Sequence, residues 1–149
     1  MIHTTLKGKR VRSKSEVIVA DALSRNGIDY EYEKLLTFPD GEKVFPDFTL
    51  TKSDREIIYW EHLGMLGDYG YRRDWERKKQ IYADHGITIK NGLLVTSQDE
   101  LSGAISSPEI QLSIDKIKKY FNKVESPKTQ NLRVFYTVFT VICVRKVLC

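Results

Sequence analysis

Two carboxylates stand where an apolar pattern would not ask for them. Asp47 lies in Phe45-Pro-Asp-Phe-Thr-Leu50 and Glu61 in Ile57-Ile-Tyr-Trp-Glu-His-Leu-Gly64, two runs rich in β-branched and aromatic residues. Asp47 follows a proline in a stretch held extended, so its side chain should project from one face of a strand start. Glu61 ends the apolar run Ile57 to Trp60, which reads as a buried strand. A hairpin around the polar loop Thr51 to Arg55 would bring the two acids side by side. Like charges held close in a half-buried place repel, and a hard divalent cation is the common remedy. The plain alternative is a Pro-Asp turn and a solvated strand-end glutamate.

The elements that must position these acids follow from the rest of the chain. Residues 1 to 12 carry Lys7, Lys9, Arg10 and Arg12 around a glycine and read as a flexible basic arm, either solvated or phosphate-contacting. Ser13 or Ser15 offers an N-cap for a helix that runs through Val17, Ala20 and Leu23 to Asn26-Gly27. Glu16 shares the buried-side face of that helix, although a first-turn glutamate also complements the helix dipole. Ile28 to Phe38 alternates as a strand with one wet face, and Pro39-Asp-Gly41 is a turn. With Val44 to Leu50 and Ile57 to Leu63 it makes an antiparallel meander of three strands.

After the glycine-bearing loop 64 to 70, a helix is expected from about Tyr71 to Asp84. Tyr71, Trp75, Lys78 and Tyr82 share one of its faces, which puts a lysine among three aromatics. Lys78 either snorkels along them to water or converges with Glu16, Asp47 and Glu61, where it could orient a water and stabilise charge on a phosphate. Leu93-Leu-Val95 follows as a buried strand entered after a helix, hence parallel to one already in the sheet. Gln98 to Leu101 reads as a short turn of helix. Ser106-Ser-Pro-Glu109 then caps a helix with Ile110, Ile114, Ile117 and Phe121 as its apolar stripe. Val134 to Val144 is an apolar, β-prone run too short to span a bilayer as a helix, and is taken as an appendage. The resulting division is a basic arm 1–12, a domain 13–123 and an apolar tail 124–149.

With 149 residues, 41% of them hydrophobic, the chain is long enough for one proper core. Lys and Arg number 24 against 20 Asp and Glu, an excess that suits an anionic partner without requiring one. Cys143 and Cys149 form no CxxC and no Cys/His cluster, which argues against structural zinc and a disulfide scaffold and makes a reducing cytoplasm the expected compartment. The polar N-terminus does not read as a secretory signal.

The residues quoted so far, from Arg12-Ser-Lys-Ser-Glu16 through Trp60-Glu-His-Leu-Gly-Met65 to Tyr71, Trp75, Lys78, Tyr82 and Gly86-Ile87, resemble the PD-(D/E)xK nuclease superfamily over about residues 12 to 122. The likeness is to the small domain found alone or at the ends of bacterial helicase-type proteins. It implies an α/β, restriction-endonuclease-like core, a mixed central sheet of about four strands flanked by helices in the order α-β-β-β-α-β-α. It further implies hydrolysis of DNA phosphodiesters with Mg²⁺ or Mn²⁺ held by Asp47, Glu61 and the backbone carbonyl of His62. Glu16 would bind the metal through water or accept a proton, and Lys78 would orient the attacking water. The superfamily lysine expected two residues after Glu61 is here Leu63, and the inward helix face nominates Lys78 in its place. His62, pointing to the opposite strand face, is a substrate contact or structural. Lys14, Arg12, Tyr71 and Trp75 complete the candidate substrate contacts. DNA is the implied partner, with a helicase or a repair or restriction protein beside it, and no membrane. A two-fold dimer would allow a double-strand cut. The alternatives are a non-catalytic DNA-binding module and, more remotely, a glycosidase-like carboxylate pair.

Overall fold

A computed structural model describes residues 2–53, 56–99 and 105–124 of the chain. The chain divides into two compact units, Met1–Ile117 and Lys118–Cys149, and of the second the described residues are the last turns of one helix. The apolar run Val134 to Val144 lies outside the described residues.

The first unit is a mixed α/β structure. Its four-stranded sheet contains β3 (Tyr30–Tyr32), β6 (Phe48–Ser53), β7 (Glu56–Leu63) and β8 (Leu94–Gln98), in the spatial order β3-β6-β7-β8. The first three pair antiparallel, whereas β8 runs parallel to β7 after the crossover helix α2 (Tyr69–Asp84). Helix α1 (Lys14–Arg25) precedes the sheet and α3 (Ser107–Val124) follows it. The expected order of helices and sheet strands is therefore present, and so is the parallel entry of β8.

Strand β7 is the centre. It is paired on both sides and all but one of its residues are buried. Ile58, Trp60 and His62 point to one face, and Tyr59, Glu61 and Leu63 to the other, as a period of two requires. The second face packs with Phe38, Val44, Trp75, Tyr82 and Leu94 into one apolar cluster beneath α2. Tyr82 and Trp60 are fully buried; each such side chain contributes roughly 1.5–3 kcal/mol. Helix α3 buries Ile110, Ile114 and Ile117 along the stripe its spacing predicts.

Four expectations are corrected. The arm 1–12 contains a two-stranded ribbon, β1 (His3–Thr4) and β2 (Arg10–Val11), with His3 opposite Val11. Gly8, at φ 75°, makes its turn, Val11 is buried, and the Leu6 amide donates to Asp21 Oδ1 of α1 at 2.7 Å. Instead of one strand, residues 28 to 38 form β3 and then β4 (Leu36–Thr37), because Glu33 turns the backbone at φ 48°. β4 pairs with β5 (Lys43–Val44) in a separate hairpin around Pro39-Asp-Gly41, so Val44 to Leu50 is not continuous either. Finally, Gln98 ends β8 rather than opening a helical turn. Among the described residues no helix is long and apolar enough to cross a membrane.

Candidate active site

The β6–β7 register pairs Phe48 with Trp60 and Leu50 with Ile58. Continued by one residue, it sets Asp47 directly opposite Glu61 on the α2 face, the arrangement that brings Cβ atoms to about 5 Å. Buried Pro46 leads the chain into this position. The backbone holds it from both sides: Asp47 O accepts from Glu33 N at 3.1 Å, and Asp47 Oδ2 accepts from His62 N at 2.7 Å.

Glu61 is buried and Asp47 half-buried. Glu61 is 3% exposed, and burial raises its carboxyl above the usual range, opposed by Lys78 and Tyr82. The Asp47 carboxyl is pushed up to about 7, first by burial and then by the charge of Glu61, with Lys78 and the His62 amide pulling the other way. A carboxylate raised by a second, buried one beside it is part of a charge pair in want of a cation.

Helix α2 supplies one. Lys78 Nζ lies 2.7 Å from the Glu61 carboxylate and donates to Phe45 O at 2.6 Å. One turn on, Tyr82 OH donates to Glu61 Oε1 at 2.6 Å, and burial followed by the Glu61 charge holds its phenol protonated. At the other end of the stripe Tyr71 OH donates to the His62 carbonyl at 3.3 Å. The helix starts where it must for this, with Asp68 as N-cap accepting from Tyr71 N. The predicted stripe of Tyr71, Trp75, Lys78 and Tyr82 thus meets β7, and the amine of Lys78 covers Glu61 while Leu63 fills the core beside it.

Other candidates are placed differently. Trp75 is buried in the apolar cluster, which corrects its reading as a substrate contact. Glu16 completes a capping box with Ser13: its Oε2 accepts from Arg12 N at 2.7 Å, Ser13 N at 3.1 Å and Tyr32 OH at 2.8 Å. That oxygen is committed to the helix start, although the charge still adds to the rise at Asp47. Arg12 pairs with Glu33, and Lys14 is exposed in the first turn of α1. No contact among the described residues links either to Asp47 or Glu61.

His62 faces away from the acids, as its position in the strand requires. Its Nε2 donates to Asp99 Oδ1 at 3.0 Å and its Nδ1 accepts from Ser97 Oγ at 2.9 Å, while Trp60 Nε1 donates to Ser97 Oγ and Ser15 Oγ to Asp99 Oδ1. One tautomer satisfies every member of that network. The network engages both ring nitrogens of buried His62. The sequence carried no local sign of the network, or of Tyr82 as a donor to Glu61; the partners are remote in the chain.

Among the described residues no group of three or more His, Cys, Asp or Glu is placed to hold a metal. The oxygen donors gathered here are instead two acids and the carbonyl of His62. This set suits a hard cation that keeps several waters.

Compared with known proteins, the chain is 41% identical over 86 residues to an uncharacterized protein of Methanocaldococcus jannaschii. The match covers 57% of this chain and 7% of the archaeal protein, so the chain corresponds to a small part of that relative's length. No family model and no solved structure matches.

Proposed function

We propose that this domain hydrolyses DNA phosphodiesters with Mg²⁺ or Mn²⁺, on a restriction-endonuclease-like core of the PD-(D/E)xK type. The observation that carries the reading is the pair of half-buried Asp47 and buried Glu61, set opposite one another by the β6–β7 register, with the amine of Lys78 delivered from α2. Asp47, Glu61 and the His62 carbonyl would hold the metal, which when bound polarises a phosphate oxygen and lowers the pKa of a water. Lys78 keeps a positive charge beside Glu61, where charge develops on a phosphate held there, and orients the attacking water. Tyr82 fixes the Glu61 carboxylate and Tyr71 the His62 carbonyl, so both donors are pre-set. Glu16 acts through its charge and by anchoring α1. A helicase or a repair or restriction protein is the proposed partner, and the small share of the archaeal relative that matches suits a domain used within longer chains.

The ion pair between Lys78 and Glu61 favours one second reading, a nuclease-fold module that binds DNA without cutting, the ammonium standing in for the metal. The two separate in one experiment. Labelled DNA incubated with the chain and Mg²⁺ or Mn²⁺ is cut, and Asp47→Ala or Glu61→Ala lowers the rate at least about a thousandfold with the circular dichroism spectrum retained. Cleavage that persists in Asp47→Ala ends the hydrolase assignment; salt-sensitive binding without turnover in either metal establishes the second reading.

A further inference from the structure

A cleft of about 320 Å³ is lined by Lys43, Val44, Phe45, Asp74, Arg77 and Lys78, with Ile81 at its wall. Phe45 is 55% exposed although it sits two residues from half-buried Asp47. Its backbone carbonyl is held by the same Lys78 amine that contacts Glu61, so cleft and acid pair share one cation. Lys43 and Arg77 are exposed and have no carboxylate partner among the described residues, whereas Asp74 is paired with Arg73. An exposed aromatic lining the same cavity as two unpaired cations, a cavity of small-ligand size, matches the way proteins hold an unstacked base and its phosphate.

We propose that this cleft takes one unpaired nucleotide next to the bond that is cut, its base stacked on Phe45 and its phosphate held by Lys43 and Arg77. This rests on the nucleic-acid reading above and sharpens it, because a base can stack on Phe45 only after leaving a duplex. The site therefore prefers single strands or frayed ends over intact duplex.

The test is fluorescence anisotropy of the full chain in EDTA with a fluorescein-labelled, mixed-sequence oligonucleotide, either single-stranded or annealed to its complement. The single strand binds more tightly. Phe45→Ala weakens that binding about tenfold and leaves duplex binding within about twofold, while Phe45→Trp keeps the preference. Lys43→Gln and Arg77→Gln weaken both and flatten the salt dependence. No single-strand binding, no effect of Phe45→Ala, or equal weakening on duplex overturns the proposal. Cleavage in Mg²⁺ that is indifferent to Phe45 removes the cleft alone, and Phe45-dependent binding with no cleavage in any metal removes the hydrolase alone.

Discussion

Glu61 and His62 are neighbours in one strand, and the two faces they occupy are built on opposite terms. On the His62 side each polar group has a partner of matching kind, from Trp60 through Ser97 and His62 to Asp99 and Ser15. On the Glu61 side two acids share a buried space with one lysine, and Asp47 is pushed up to about 7. A satisfied network rigidifies a core; an unbalanced one holds free energy that a ligand of the right charge can release. The contrast is the ground for proposing function on one face and structure on the other.

That contrast can be broken most strongly at Lys78. Lys78→Met leaves the methylene stem to pack but removes the partner of buried Glu61, so the thermal midpoint is expected to drop and cleavage by the folded fraction to fall about a hundredfold in kcat. A loss of fold instead of rate would make Lys78 a structural counter-ion. On the other face, His62→Ala strands Ser97 and Asp99 in the interior. It should destabilise by about 2–3 kcal/mol in urea melts while the folded fraction still cuts. Inactivity at full stability would put His62 in the chemistry.

Asp47→Asn sharpens the comparison through pH. An acid whose folded pKa is raised destabilises the fold when ionised, so the penalty is absent below its ordinary value of 3.8, grows as pH rises to about 7, and is constant above that. Asparagine has no such charge and keeps an oxygen for the His62 amide. The variant should be inactive in Mg²⁺, and in EDTA more stable than the parent by at least about 2 kcal/mol at pH 8, the gain vanishing near pH 4. Equal stability at both pH values would mean that Asp47 is not frustrated.

How much of this was legible depends on the range of the signal. The capping box at Ser13 and Glu16 and the stripe Tyr71, Trp75, Lys78, Tyr82 are local patterns, and both can be read from spacing. Asp47 and Glu61 were found because acids interrupt apolar runs. The break at Glu33 was hidden, since a non-glycine residue with positive φ leaves no trace in an alternating pattern. The ribbon at residues 3 to 11 is hidden by its charge, its buried residues being Thr5 and Val11 alone. The partnership of His62 with Asp99 spans thirty-seven positions and exists only once β8 lies beside β7.

The central claim, that Asp47 and Glu61 are a joint seat for a divalent cation, is tested most directly by crystals of the chain soaked in Mn²⁺. The expected result is one anomalous peak between the two carboxylates within coordination distance of the His62 carbonyl, with Lys78 moved off Glu61, and no peak in Asp47→Ala. Manganese bound elsewhere, or nowhere, with Lys78 still seated on Glu61, would contradict it.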